Sequence, residues 1–242
     1  MPVTVENQVV LIVGASSGVG REAAVLFARE GARVMAAARR EDRLRQLQAA
    51  LAGEGRSIEI AVADASHASE MEKLAQNTRS RLGDIDILVY AAGINTKDRA
   101  LQRLTAGVWD QLLTINLDGA YYITQAILPS MRERGRGHLI FVSSISGLAP
   151  DVSGVAYQAS KRGMVGLAHG IRVEEKEHGI RTCVICPGLI DSELLDYRPV
   201  KPTPEMLARA LQPVDVAEAV LAIAKLPSRA SVPELQIVPT TI

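Results

Sequence analysis

The chain has 242 residues, of which 48% are hydrophobic, and its 27 lysines and arginines balance its 27 aspartates and glutamates. The net charge of zero excludes the strongly basic composition that is typical of proteins binding nucleic acid or an anionic membrane surface. The hydrophobic content suffices for a buried core and no linker composition divides the sequence, so we expect one domain over residues 1–242.

The N-terminal segment lacks the basic region and the apolar stretch of a signal peptide. No apolar run approaches the roughly 20 residues that a membrane-spanning helix needs. A cytoplasmic protein is therefore expected, with neither nucleic acid nor a membrane as its partner.

Short apolar segments alternate along the chain with segments of helical periodicity. Residues 9–13 are continuously apolar, as expected for a central parallel strand that is covered on both faces. Further strands are predicted at residues 33–38, 57–64, 85–93, 138–144, 181–188 and 234–239, and helices at residues 21–31, 41–55, 67–83, 105–135 and 156–177. This alternation predicts an α/β fold with a Rossmann-type, doubly wound parallel sheet and helices on both faces.

A glycine-rich turn follows the first predicted strand and leads into a helix. Gly14, Gly18 and Gly20 allow the backbone to turn sharply and to present free N–H groups to a phosphate, assisted by the helix dipole. The spacing G-x-x-x-G-x-G differs from the more common G-x-G-x-x-G, and glycine-rich turns serve several nucleotide cofactors. A nucleotide phosphate is the expected ligand of this turn.

The residues that end the second strand indicate which dinucleotide is bound. An acidic residue there would bind both ribose hydroxyls, but this chain has Ala37, Ala38, Arg39 and Arg40. Because arginine can donate bidentate hydrogen bonds to phosphate, we predict NADP(H) rather than NAD(H), with Arg39 as the main contact of the 2′-phosphate and Ser16 as a second. The alternative is that both arginines merely begin a solvated helix.

A tyrosine and a lysine lie four residues apart in the helix predicted at residues 156–177. Tyr157 and Lys161 therefore share one face, where an ammonium group would lower the pKa of the phenol toward neutrality. Ser144 comes after the apolar run HLIFV, at the end of the fifth predicted strand, and is expected at the same site. The three side chains could bind a carbonyl oxygen and hand it a proton, although each alone has an ordinary structural explanation.

The two cysteines form a C-x-x-C pattern, which raises the question of redox or metal chemistry. Cys183 and Cys186 lie in an apolar, strand-like segment, where positions three apart point to opposite faces. A disulfide between them is therefore not expected. The histidines show no spacing that would complete a zinc site, so we expect two structural thiols and no metal.

Together these motifs resemble those of the short-chain dehydrogenase/reductase family, and the likeness covers essentially the whole chain. Residues 14–20 resemble the family's glycine motif, although Val13 stands where threonine is usual. Residues 90–93, with the sequence YAAG, are similar to the motif usually written NNAG, but both asparagines are replaced. The replacement at Ala91 removes a side chain that braces the centre of the sheet, whereas backbone contacts to ribose can persist.

The resemblance implies four catalytic residues and a reaction. Asn116 resembles the family's helix-kinking asparagine, and Ser144, Tyr157 and Lys161 fit the other three positions. The reaction implied is hydride transfer between NADP(H) and a ketone, an aldehyde or the matching alcohol, with Tyr157 as acid and base. Ser144 would hydrogen-bond the substrate oxygen, Lys161 would bind the nicotinamide ribose and lower the tyrosine pKa, and Asn116 would hold a water that links Lys161 to solvent.

The resemblance also implies the cofactor contacts. Asp64 resembles the aspartate that contacts adenine, and residues 187–192 resemble the stretch that holds the nicotinamide carboxamide, with Ser192 in place of the more common threonine. The expected contacts are Gly14, Ser16, Ser17, Gly18, Val19, Gly20, Arg39, Arg40, Asp64, Ala65, Ala91, Ala92, Gly93, Tyr157, Lys161, Pro187, Gly188, Ile190 and Ser192.

The segment at about residues 190–213 is rich in proline and charge and resembles the family's mobile substrate flap. In it, Arg198 and Lys201 could attract an acidic small-molecule substrate, although a solvated loop would carry them equally well. The glycines at positions 163, 166 and 170 permit close helix packing and resemble the contacts by which family members form homodimers and homotetramers. A non-catalytic, dinucleotide-sensing regulator on the same fold is the alternative, but such a protein need not keep the serine, tyrosine and lysine.

Overall fold

The computed structural model describes residues 4–241, so the first three residues and the last residue of the expected domain lie outside its described part. Its strands are β1 (Val9–Val13), β2 (Arg33–Ala38), β3 (Glu59–Val62), β4 (Ile87–Tyr90), β5 (Gly137–Val142), β6 (Ile180–Pro187) and β7 (Glu234–Ile237). They form one parallel sheet in the order β3-β2-β1-β4-β5-β6-β7.

Helices cover both faces of this sheet. They are α1 (Gly18–Arg29), α2 (Glu41–Gly53), α3 (Ala68–Leu82), α4 (Ala106–Leu113), α5 (Gly119–Arg134), α6 (Val155–Glu175), α7 (Pro204–Leu207) and α8 (Pro213–Ala224). The arrangement confirms the predicted Rossmann-type, doubly wound α/β fold.

Alternate residues of the central strand pack into two separate cores. Val10 and Ile12 of β1 contribute to the core beneath α1, α2 and α8, whereas Leu11 contributes to the core beneath α3, α5 and α6. Because both faces of β1 are buried, the strand is apolar at every position.

The strand order reverses between β1 and β4, which pair with each other in the middle of the sheet. The chain leaves β1 toward one face and β4 toward the other, so their carboxyl ends border a crevice, the usual ligand site in sheets of this kind. The glycine turn follows β1, and the YAAG segment begins with the last residue of β4.

Two features of the helices differ from the expectation. The helix expected over residues 105–135 is interrupted by a π-helical turn, Thr114–Asp118, because apolar periodicity does not distinguish the wider i→i+5 turn from an α-helix. Helix α8 was not among the predicted helices; it begins at Pro213, where the expected flap ends, and packs against α1.

The two cysteines lie on opposite faces of β6, as predicted, and both are free thiols. Burial raises the pKa of Cys183 to about 12 and that of Cys186 to about 11, so neither is a thiolate at neutral pH. Within residues 4–241, no three His, Cys, Asp or Glu side chains gather as a metal site would require. No helix in the described part of the chain combines the length and the apolar character needed to cross a membrane.

Candidate active site

A cleft of about 700 Å³ opens at the carboxyl ends of the strands. Its walls come from the glycine turn, the ends of β2 to β6, the N-terminal part of α6 and the expected flap. The cleft brings Tyr157 and the glycine turn together, as the sequence predicts. Of the expected cofactor contacts, all but Gly20 line it.

The glycine turn is shaped by close backbone contacts. Gly14 has a φ of 96°, and a Cβ atom there would lie 2.5 Å from the backbone nitrogen of Ala92. A Cβ atom on Gly20 would lie 2.3 Å from the carbonyl oxygen of Gly14, so Gly20 closes the turn from behind and does not line the cleft. Ser17, the residue before α1, caps none of the first N–H groups of that helix with its side chain. These free N–H groups and the helix dipole fit the phosphates of a dinucleotide.

The end of β2 places two arginines beside this turn. Arg40 donates hydrogen bonds to the hydroxyl of Ser16, at 3.0 and 3.1 Å, and to that of Ser17 at 2.7 Å. Arg39 is more exposed, and its guanidinium lies 3.8 Å from the carboxylate of Asp64. Ser16, expected as the second contact of the 2′-phosphate, is thus hydrogen-bonded to Arg40. Both cations remain on the wall of the cleft, and guanidinium groups in such a place suit a phosphate.

A carboxylate from the expected flap also contacts these cations. Glu193 accepts a hydrogen bond from Arg40 at 2.8 Å and lies 3.6 Å from Arg43. The hydrogen bond from Arg40 lowers the pKa of Glu193, so the carboxylate is ionised at neutral pH. The flap is thereby tied to the wall that carries the arginines.

The π-helical turn holds Asn116 in a fully buried position behind the cleft. The Asn116 amide donates to the carbonyl of Ile94 and to the hydroxyl of Ser160, both at 3.0 Å, and its oxygen accepts from the Ile94 N–H at 2.8 Å. A Cβ atom on Gly93 would lie 3.3 Å from Lys161 Nζ and 3.5 Å from Asn116 Oδ1, so the three residues are neighbours.

Tyr90 is a site residue that the sequence reading did not recognise. Its hydroxyl donates to the carbonyl of Ile115, in the same π-helical turn, at 2.5 Å. Tyr90 is fully buried, and burial raises its pKa, so the phenol stays a hydrogen-bond donor. Tyr90 thus braces the π-helical turn of Asn116 against the sheet, which the small side chain of Ala91 cannot do. The only signal in the sequence was a polar hydroxyl at the end of a central strand.

Tyr157 and Lys161 are both buried on the same face of α6, as predicted. The ammonium nitrogen of Lys161 lies 5.7 Å from the centre of the Tyr157 ring and donates to the carbonyl of Val142 at 3.0 Å. Burial lowers the pKa of Lys161 to about 8, because its ammonium form is poorly solvated.

The expected lowering of the Tyr157 pKa is not what the structure gives. Burial raises the pKa of Tyr157 to about 12; the hydroxyl of Ser144 acts in the opposite direction, as do the charges of Arg99 and Arg198. The desolvation of the phenolate outweighs any influence of Lys161, which is itself depressed by burial. The phenol is therefore protonated at neutral pH, as a proton donor must be.

Ser144 belongs to a chain of hydroxyl groups that the sequence did not reveal. Its Oγ donates to Ser146 Oγ at 3.0 Å, and Ser146 donates to a carboxylate oxygen of Asp151 at 2.6 Å. Ser153 donates to the same oxygen at 2.9 Å. This network fixes the position of the Ser144 hydroxyl beside the phenol of Tyr157.

Comparison with known proteins agrees with this geometry. The profile of the short chain dehydrogenase family matches residues 8–201. An uncharacterized oxidoreductase of Staphylococcus saprophyticus is 30% identical over 238 residues, which cover 98% of this chain and 99% of that relative. A serine dehydrogenase solved with NADP+ superposes with a TM-score of 0.89 at 29% identity, covering 97% of this chain and 96% of that one.

A levodione reductase superposes with a TM-score of 0.87 at 29% identity, and 96% of each chain is covered. Both the family profile and the full-length relative extend over the glycine turn and the tyrosine–lysine pair. The chain therefore belongs to the short-chain dehydrogenase/reductase family of oxidoreductases.

Proposed function

We propose that this protein interconverts a ketone or an aldehyde and the matching alcohol, with NADP(H) as its cofactor. The observation that carries the proposal is the arrangement of the cleft, in which Tyr157, Ser144 and Lys161 share one end with the glycine turn. The serine dehydrogenase and levodione reductase that resemble the chain are named for reactions of this class.

In the proposed reduction, Tyr157 is the proton donor. A bound nicotinamide would supply the hydride, and the alcohol oxygen that forms would take its proton from the Tyr157 hydroxyl. Because burial keeps this hydroxyl protonated near neutral pH, the acid form needed for reduction is the resting form. Ser144 would hydrogen-bond the same oxygen and stabilise the negative charge that develops on it.

Lys161 and Asn116 are the other two expected catalytic residues. The ammonium group of Lys161 lies next to Gly93, at the wall of the cleft, where it would bind ribose hydroxyls. The side-chain amide of Asn116 is engaged with Ile94 and Ser160, so its role is to hold the π-helical turn in place. The water expected to link Asn116 and Lys161 stays a prediction.

Replacement of Tyr157 tests the proton donor. Tyr157→Phe keeps the ring and removes the hydroxyl, so turnover of a ketone panel should fall about 10²–10⁴-fold while NADPH binding persists. Tyr121→Phe, at an exposed tyrosine of α5, is the matched control and should keep wild-type turnover. Wild-type turnover in Tyr157→Phe would refute the scheme. Tight NADPH binding by the native chain without turnover of any ketone, aldehyde or alcohol would instead favour a dinucleotide-sensing regulator.

The preference for NADP(H) rests on Arg39 and Arg40, which line the cleft beside Ser16. Arg39→Asp and Arg40→Asp should each lower the ratio of kcat/KM for NADPH to that for NADH by about tenfold to a hundredfold. Arg45→Asp is the control, because Arg45 pairs with Glu41 on the exposed face of α2. An unchanged ratio in both cleft variants would exclude the 2′-phosphate as their ligand.

We also infer a homo-oligomer and a mobile substrate flap. Gly166 and Gly170 are exposed on α6 with open space beside them, which suits close packing of another helix, whereas Gly163 packs against Leu117 of the same chain. The expected flap contains a short helical turn at Glu193–Tyr197 and helix α7. Light scattering tests the oligomer, and a monomer at micromolar concentration would contradict it.

A further inference from the structure

Two arginines line the part of the cleft near Tyr157, where the substrate would bind. Arg99, in the loop after β4, and Arg198, in the expected flap, both line the cleft and are half-buried. Arg99 donates to two backbone carbonyls, that of Thr96 at 3.1 Å and that of Tyr197 at 2.5 Å. A guanidinium has five N–H donors, so Arg99 keeps donors free while it ties the loop to the flap.

Neither of these arginines forms an ion pair with a carboxylate of residues 4–241. Burial lowers the pKa of Arg99, and the nearby charge of Arg198 lowers it further. The charge of Asp151 acts in the opposite direction on Arg99, and a further anion between the two arginines would reduce their repulsion. The charges of both arginines also lower the pKa of Tyr157, so both lie within electrostatic reach of its phenol oxygen.

The balance of charge indicates how many negative charges this end can accept. Asp151 is the one carboxylate that lines this part of the described cleft, and it accepts hydrogen bonds from Ser146 and Ser153. The other lining carboxylates, Asp64 and Glu193, lie with Arg39 and Arg40. If the Lys161 ammonium serves the ribose, the two arginines and Asp151 leave a single positive charge, which one carboxylate would neutralise.

We propose that Arg99 and Arg198 form a subsite for the carboxylate of the substrate, so that the enzyme acts on oxo acids and the matching hydroxy acids. The inference rests on the proposed carbonyl–alcohol chemistry and adds the substrate class. It also revises the expected pair: Lys201 contacts Asp196 at 3.0 Å on an exposed part of the flap, away from the cleft, and Arg99 takes its place. The guanidinium fork suits a carboxylate because it can donate two parallel hydrogen bonds.

The test compares each acid with its own neutral ester. Initial rates with NADP+ are measured for a series of 2- and 3-hydroxy acids and for their methyl esters, which differ only in the charged group. The wild-type chain should favour the acids in kcat/KM by about tenfold or more, as expected for a charge-assisted contact. Turnover of the esters without a preference for any acid would overturn the subsite and leave the proposed function standing. Failure of acids, esters and simple alcohols alike would overturn both.

Variants separate binding of the carboxylate from support of the flap. Arg198→Met should lower the acid-to-ester ratio of kcat/KM about tenfold. Within the described residues the Arg198 side chain donates to no backbone carbonyl, so the flap keeps its contact with Arg99. Arg99→Met should lower the same ratio, with an additional loss for both substrates because Tyr197 is released. Lys201→Met, the control outside the cleft, should leave the ratio unchanged. An equal loss for acid and ester in Arg198→Met would show that the arginine does not bind the carboxylate.

Discussion

Replacing Tyr90 by phenylalanine removes a single oxygen atom from the centre of the sheet and tests whether this residue braces the active site. The hydroxyl donates to the Ile115 carbonyl at 2.5 Å, and both residues are buried. Without it, the carbonyl loses a donor in a place that water does not reach. Such a loss costs about 1–3 kcal/mol in the free energy of unfolding.

The thermal midpoint of the Tyr90→Phe variant should therefore fall, by about 2–4 °C for each kcal/mol in a chain of this size. Circular dichroism or chemical denaturation gives the measurement, with Tyr121→Phe as the control, because Tyr121 is 46% exposed on α5. Turnover should fall too, at temperatures well below the midpoint, since Asn116 follows Ile115 in the same turn. Equal stability of the two variants would refute the bracing role.

A second substitution checks the same contact from the other side. A Cβ atom on Gly119 would lie 2.3 Å from the Tyr90 hydroxyl and 2.6 Å from the carbonyl oxygen of Ala65. Gly119→Ala should therefore destabilise the chain strongly. In the double variant with Tyr90→Phe, the loss of stability should be smaller than the sum of the losses in the two single variants, because one of the two clashes disappears. Strictly additive losses would mean that the hydroxyl and Gly119 do not touch in solution.

Glu193→Gln should tighten NADPH binding roughly two- to fivefold and leave NADH binding unchanged, because a 2′-phosphate no longer competes with a carboxylate for Arg40; fluorescence titration measures both. Equal effects on the two cofactors would contradict this. His138 is buried with neither ring nitrogen paired, and burial lowers its pKa to about 3. In the unfolded chain the imidazole has the ordinary pKa of 6.5, so between about pH 3 and 6.5 it is protonated only after unfolding. In that range the free energy of unfolding therefore falls by about 1.4 kcal/mol for each pH unit of acidification. His138→Leu should make the free energy of unfolding depend less on pH between about pH 6 and 4, whereas the exposed control His178→Leu should keep the wild-type dependence. The same pH dependence in both variants would exclude His138 as its source.

The features of the fold that the sequence predicts are those set by burial along a single segment. Strand β1 is buried on both faces, and its uninterrupted apolar run follows directly from that. The positions of Cys183 and Cys186 on opposite faces follow from the alternation of side chains along a strand. The glycine turn is also a local property, because Gly14 and Gly18 have positive φ values that glycine adopts most readily.

The π-helical turn and its brace are not local properties. The segment Thr114–Asp118 continues directly from α4 into α5, and the apolar residues Ile115 and Leu117 within it do not mark the change of hydrogen-bonding pattern. Tyr90 lies 25 residues before Ile115 in the chain, and their contact depends on how the helix packs against β4. The family pattern led us to expect a missing brace, because it considers asparagine at these positions and not a tyrosine that reaches the same turn from the strand.

The charges that select the ligands illustrate the same limit more sharply, because each is decided by a partner far away in the chain. Arg40 meets Glu193 across 153 residues, and Arg99 meets the backbone of Tyr197 across 98. A sequence identifies which residues carry charge, but only the folded chain decides which of those charges are already neutralised. Lys201 contacts Asp196 on an exposed part of the flap outside the cleft, whereas Arg99 lines the cleft and, within the described residues, donates to backbone carbonyl oxygens and forms no ion pair. The reaction class is therefore predicted from local motifs, whereas the proposed preference for acids rests on two arginines whose surroundings only the folded chain shows.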